Sequence, residues 1–296
     1  MERQQAAPHF IGIGLGKSGT TWLHWQLENH PEIWVPPVKE INYFDVYYDS
    51  YLKRFYGKHH YHRNWRRWAV KYFLHFAYLY SPQNMIWRFK YLFYPRSFSW
   101  YISLFPQNDK FTCGEISPAY ILLPEKTISK IALRLPNIKL IYLIRNPIDW
   151  IWSAVKWEYL KIESKKKFDR DFHDYFNNYL NDRIFMQRLN HITNIKKWKK
   201  YFKKEQIFIG FFDDIKNYPS EFLKELSGFL EIDYRGFRAE SMNKIINKNI
   251  AGDRYIIPGD VKIRLAKHLL PCLQELSREY GGHCKVWLEE AENLIK

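Results

Sequence analysis

Nine consecutive residues, Gly14-Leu15-Gly16-Lys17-Ser18-Gly19-Thr20-Thr21-Trp22, bring together three glycines, one lysine and three hydroxyl side chains. Such a set suits an anion. Gly16 and Gly19 let the main chain approach it closely, Lys17 brings a full charge, and Ser18, Thr20 and Thr21 add hydroxyl donors. The setting fits too. Residues 9–15 (HFIGIGL) form a short, apolar, β-branched run, and residues 19–29 have helical spacing with Leu23 and Leu27 on one face. Strand, glycine turn and helix open a βα unit. The first turn of that helix offers backbone N–H groups without intrahelical partners and the positive end of the helix dipole. An ordinary triphosphate loop would need a glycine at position 11, where this chain has Ile11. The loop is a neighbour of that pattern rather than a copy.

Other residues are candidates for chemistry. Arg145 ends the apolar run of residues 139–144 (KLIYLI). A parallel strand there puts it at the carboxyl edge where α/β sheets bind ligands, and a guanidinium can hold a phosphate by two parallel hydrogen bonds. Glu40, in Pro37-Val38-Lys39-Glu40-Ile41-Asn42-Tyr43-Phe44-Asp45, is a candidate base for group transfer; its plainer reading is an ion pair with Lys39 or Lys17. His59, His60 and His62 form a second candidate base cluster, with no carboxylate or cysteine pattern that would make it a metal site. Asp213-Asp214 follows the run at residues 207–212 (IFIGFF), where a metal-holding aspartate of a phosphoryl-transferring kinase would fall.

Gly16-Lys17-Ser18-Gly19-Thr20-Thr21-Trp22-Leu23 resembles the phosphosulfate-binding loop of the sulfotransferase family, in pattern nearest to its bacterial and glycan-type members. That resemblance implies a P-loop-like fold akin to nucleotide kinases. It also implies the cosubstrate 3′-phosphoadenosine-5′-phosphosulfate (PAPS), with the bisphosphate PAP as product and an acceptor hydroxyl or amine. Within it, Gly16 to Trp22 bind the 5′-phosphosulfate and Lys17 stabilises the leaving group. Arg145 and Ser153, eight positions apart, bind the 3′-phosphate. Asn247-Lys248-Asn249-Ile250-Ala251-Gly252-Asp253 resembles the segment that closes over that phosphate, with Lys248 as the matching cation. Lys39-Glu40 to Phe44-Asp45 resembles the segment whose glutamate is the base, whereas the small-molecule cytosolic branch uses a histidine. Gly114-Glu115-Ile116-Ser117-Pro118-Ala119-Tyr120 resembles an acceptor-side segment in which Ile116 replaces the family's lysine; Glu115 and Tyr120 either line the pocket or finish a strand.

The elements that must position these groups alternate. Apolar runs at residues 9–15, 111–116, 139–144 and 207–212 read as buried strands. Helical patterns follow at 19–29, 190–204, 219–230 and 261–280, the last with a break expected at Pro271. Asn146-Pro147 opens another helix, with Asn146 at the N-cap and Asp149 in the first turn. The expected fold is α/β: a P-loop-like, three-layer α/β/α domain with a central, mainly parallel sheet, spanning 1–296 as one unit. Residues 43–105, rich in aromatic and basic side chains, read as a helical insertion covering the site and shaping an apolar, phenolic or lipid-like acceptor pocket. Stretches such as residues 88–94 read either as peripheral membrane contact or as aromatic core with solvated Lys and Arg.

The net charge of +15 favours anionic partners. No nucleic-acid recognition module accompanies it, so nucleic acid is not expected, although a non-catalytic basic anion-binding protein stands as an alternative. Three widely spaced cysteines, Cys113, Cys272 and Cys284, do not build a disulfide framework. The opening residues lack an apolar signal core and no long apolar run appears, so a cytoplasmic location is expected.

Overall fold

The computed structural model describes residues 8–46, 82–108, 110–163, 172–238, 240 and 257–296. Within them, β1 (Phe10–Gly14), β2 (Ile33–Trp34), β3 (Thr112–Ile116), β4 (Lys139–Ile144) and β5 (Ile207–Phe211) form one sheet in the order β2-β3-β1-β4-β5, every neighbouring pair parallel. The helices in chain order are α1 (Thr20–Glu28), α2 (Tyr43–Val46), α3 (Pro82–Phe93), α4 (Phe98–Ser103), α5 (Glu125–Arg134), α6 (Pro147–Glu163), α7 (Phe172–Leu180), α8 (Arg183–Gln187), α9 (His191–Lys199), α10 (Phe212–Asn217), α11 (Pro219–Leu230), α12 (Gly259–Tyr280) and α13 (Gly282–Ile295).

β1 lies at the centre because every one of its residues is buried, which only a strand paired on both edges and covered on both faces can be. Phe10 opposes Gly114 on one side and Lys139 on the other. A Cβ at Gly114 would stand 2.5 Å from the Phe10 ring, so glycine is required for that pairing. Alternation along β4 separates the two layers. Ile141 and Leu143 join Phe10, Ile116, and the apolar faces of α1 and α11. Leu140, Tyr142 and Ile144 join Ile11, Ile13 and the buried sides of α4, α5, α6, α9, α12 and α13. The result is the expected three-layer α/β/α arrangement.

Two helical expectations change. α12 runs unbroken through Pro271, because Leu265 and Leu269 before it and Leu273 and Leu276 after it are all buried. Burying each is worth about 1.5–3 kcal/mol, which together outweighs the cost of about 3 kcal/mol for an interior proline. A further helix, α13, then packs on α12. The start of α6 is as expected: Asn146 Oδ1 accepts the Ile148 N–H at 3.0 Å and Pro147 is the first helical residue.

β1 borders β3 on one side and β4 on the other, and the chain crosses from the β3 side to the β4 side. That reversal opens a crevice beyond the carboxyl ends of β1 and β4. The glycine loop and Arg145 both lie there.

Candidate active site

The loop between β1 and α1 is held from behind. Trp150 Nε1, in the first turn of α6, donates to the Gly16 carbonyl at 2.5 Å, and Arg145 Nη1 donates to the Lys17 carbonyl at 3.0 Å. Two oxygens that would repel an anion are thereby turned onto protein donors. Lys17 takes a left-handed backbone (φ 66°), as does Gly19 (φ 89°). At Gly19 a side chain is also barred by space, since a Cβ would lie 2.8 Å from Ile215. α1 begins with no acidic residue in its first turn and no side chain capping its N-terminus. Ser18 is wholly buried, and its hydroxyl has no hydrogen-bond partner among the described residues. A buried hydroxyl with no partner is costly, and an anion oxygen at the helix start would satisfy it.

Cations surround this start. The Lys17 ammonium rests over the Trp157 ring, 5.2 Å from its centroid. The Arg145 guanidinium stacks on Phe212 at 4.3 Å, and its Nε has no partner among the described residues. Burial pulls the Arg145 pKa down, and Asp149 and Asp213 act against that. Trp150, Ser153 and Trp157 stand at i, i+3 and i+7 on α6, hence on one helix face. Trp150 reaches Gly16 and Trp157 meets Lys17, so the half-buried Ser153 between them faces the loop side.

Lys39 is the residue that spacing did not single out as a loop contact. Its Nζ donates to Thr21 Oγ1 at 2.9 Å and approaches Thr20 Oγ1 at 3.4 Å and Glu40 Oε1 at 3.5 Å. Burial lowers its pKa, and the Glu40 carboxylate opposes that shift. Glu40 keeps 43% of its side chain exposed. Adjacent side chains in an extended segment point to opposite sides. Glu40 instead has a left-handed backbone (φ 63°), which turns both charges to the same side. His24, one turn into α1, is pushed down to about 4 by burial and then by Lys39, so its imidazole is neutral at pH 7.

The remaining candidates are placed as follows. The Trp22 side chain turns into the apolar layer against Phe222, with ring centroids 5.9 Å apart, leaving its main chain at the helix start. Ile116 packs in that same layer. Glu115 and Tyr120 are fully buried behind the segment carrying Glu40. Asp213 accepts from Trp287 Nε1 at 3.3 Å and Asp214 is bonded to His283 Nε2 at 2.6 Å, so both aspartates are engaged by α13. Lys248 and the cluster His59, His60 and His62 lie outside the described residues. Among the described residues, no three His, Cys, Asp or Glu side chains gather as metal ligands, and no helix is long and apolar enough to cross a membrane.

A family model described as a sulfotransferase domain matches residues 7–251. The membrane-associated sulfotransferase kil1 of Dictyostelium discoideum is 32% identical over 142 residues, 48% of this chain. The match spans about a fifth of that relative's length, 21%. The solved sulfotransferase from Alicyclobacillus acidocaldarius superposes with a TM-score of 0.63 at 17% identity, covering 96% of this chain and 99% of its own. The sulfotransferase domain of the Synechococcus PCC 7002 olefin synthase gives 0.53 at 16% identity, covering 91% and 96% respectively. At those identities the two structures speak to the fold.

Proposed function

The chain belongs to the sulfotransferase domain family, and from that premise we propose that it moves a sulfuryl group from PAPS to a hydroxyl, or an amine, of an acceptor. The observation that carries this reading is the buried Ser18 hydroxyl, without a partner among the described residues, at an uncapped helix start flanked by Lys17 and Lys39. Those residues fit a phosphosulfate. When bound, PAPS would supply an electrophilic sulfur, whose bond to the bridging phosphate oxygen breaks as its bond to the acceptor oxygen or nitrogen forms, with PAP as the leaving group. The chain's own part is threefold. Gly16 to Thr21 bind through main-chain N–H groups and hydroxyls, with the main chain of Trp22 completing the turn. Lys17 leaves the Trp157 ring and holds negative charge on the departing phosphate oxygen. Glu40, beside Lys39, takes the proton of the acceptor. Arg145 and Ser153 hold the 3′-phosphate, and by the family's pattern Lys248 is the further cation for it. The reading is of a cytoplasmic enzyme that needs no metal.

Thermal melting tests this. Saturating PAP is expected to raise the Tm by roughly 5 °C, the shift that binding at about a hundred times Kd gives a domain of this size. Mg-ATP is expected to leave it unchanged. A shift with Mg-ATP and none with PAP would replace this reading with phosphoryl transfer.

We also propose peripheral contact with an anionic membrane surface through α3. Ile86 is 61% exposed, and Phe89, Phe93 and Tyr94 are each 48% exposed. The first three follow at i, i+3 and i+7, so they share a face, with Lys90 on its flank. The net charge of +15 adds long-range attraction. The kil1 protein, a relative over part of its length, is described as membrane-associated, which supports this reading. Replacing Phe89 and Phe93 by serine is expected to weaken co-sedimentation with phosphatidylserine-containing vesicles at least tenfold. Equal binding by the wild type and the double variant would remove α3 as the contact.

A further inference from the structure

Behind the Lys39–Glu40 pair lies a buried cluster that the reaction does not touch. Glu115, the fourth residue of β3, is 1% exposed. Its Oε1 accepts from Tyr101 Oη at 2.8 Å and Tyr120 Oη at 3.0 Å, and its Oε2 accepts from Ser117 Oγ at 2.6 Å. The Ile41 backbone amide faces it as well and acts to lower its pKa. The hydroxyls pass the connection on. Ser117 Oγ accepts the Asn42 N–H at 3.3 Å, and Tyr120 Oη accepts the Tyr43 N–H at 2.8 Å and the Phe44 N–H at 3.4 Å.

Three successive amides, from Asn42 to Phe44, therefore reach one carboxyl through a single hydroxyl, and the Ile41 amide before them faces the same carboxyl. Successive N–H groups converge in this way at a helix start, as Tyr43 and Phe44 do in opening α2, or where ordinary and left-handed backbone alternate to make an anion-binding nest. Glu40 (φ 63°) and Asn42 (φ 53°) supply that alternation. Neither is glycine, so each left-handed residue costs about 1–2 kcal/mol and needs surroundings that hold it.

We propose that Glu115 is a positioning residue: with Tyr120 and Ser117 it clamps the main chain of residues 41–44 and so sets Lys39 and Glu40 over the glycine loop. Burial pushes the Glu115 carboxyl up, and its hydrogen-bond donors pull the other way, so the number of donors decides how well it serves as the anchor. The functional consequence rests on the sulfotransferase reading; the clamp does not.

Two measurements separate them. In Glu115→Gln and Tyr120→Phe, hydrogen exchange at the amides of residues 41–44 is expected to rise at least tenfold while β1 and β4 keep their protection. In the same variants, kcat for PAPS consumption is expected to fall roughly 100-fold, the scale of a misplacement of about 1 Å, with the Kd for PAP within twofold of the wild type. Tyr120→Phe keeps the ring and so serves if the Glu115 variant does not fold. Unchanged exchange at residues 41–44 overturns the clamp. Faster exchange with unchanged kcat overturns its role in positioning. A wild type that neither binds PAP nor consumes PAPS counts against the functional reading, and the exchange result still judges the clamp.

Discussion

Lys17→Ala is expected to slow sulfuryl transfer roughly 1000-fold in single-turnover measurements with PAPS, the upper range for loss of one preorganised charge donor. The structure gives a reason to expect the loss in the chemical step more than in binding. Lys39 Nζ lies on the Thr20 and Thr21 hydroxyls, at the same helix start, and remains in the variant. Arg145 holds the Lys17 main-chain carbonyl, a bond that survives truncation of the side chain. The loop thus keeps its shape and much of its positive charge, and PAP is expected to bind within about tenfold of the wild type. What disappears is the ammonium placed to meet charge as it develops on the leaving oxygen. An arginine at position 17 is not expected to restore the rate, because its planar fork differs from a compact point charge. Turnover within threefold of the wild type in Lys17→Ala would remove this residue from the chemistry.

Glu40→Gln is expected to leave PAP binding unchanged and to cut turnover about 100- to 10,000-fold, the usual contribution of a positioned general base. Glutamine keeps the volume and the contact with Lys39 but cannot take a proton. The deficit should shrink for acidic phenols, which ionise without help, so a plot of the variant's relative rate against acceptor pKa is expected to slope. A flat plot, or full activity in Glu40→Gln together with loss in a variant of His59, His60 or His62, would move the base to the histidine cluster. The two variants differ in kind: one loses charge stabilisation whatever the acceptor, the other loses proton removal only where the acceptor needs it.

Much of the scaffold was legible because it rests on local pattern. Residues 140–144 are an unbroken apolar run and β4 covers them together with Lys139, and the helix read at 219–230 is α11. The glycine loop and Arg145 were legible as candidates because strand ends and helix starts impose short, fixed spacings; Ser153 was legible only through the resemblance to the sulfotransferase family. Lys39 was not, since a left-handed residue at Glu40 reverses the side that adjacent side chains take, and nothing in the residue type announces it. The cluster around Glu115 was hidden for another reason. Tyr120 lies 77 residues from the Tyr43 amide it accepts, and pairings that long are set by packing of the sheet against its helices. Pro271 shows the converse, a strong local signal overruled by four buried leucines.

The bonds from Trp150 to Gly16 and from Arg145 to Lys17 have a thermodynamic corollary. Fixing one backbone residue costs about 1–2 kcal/mol of conformational entropy, and glycine loses the most. In a loop ordered by its own ligand, that loss is subtracted from affinity. Here it is met when the domain folds, so on the proposed reading an arriving nucleotide keeps the full value of its contacts. Those contacts are to the parts that donor and spent nucleotide share. Rigidity in this loop therefore strengthens the grip on both alike, and the difference between them is left to the side chains of Lys17 and Glu40.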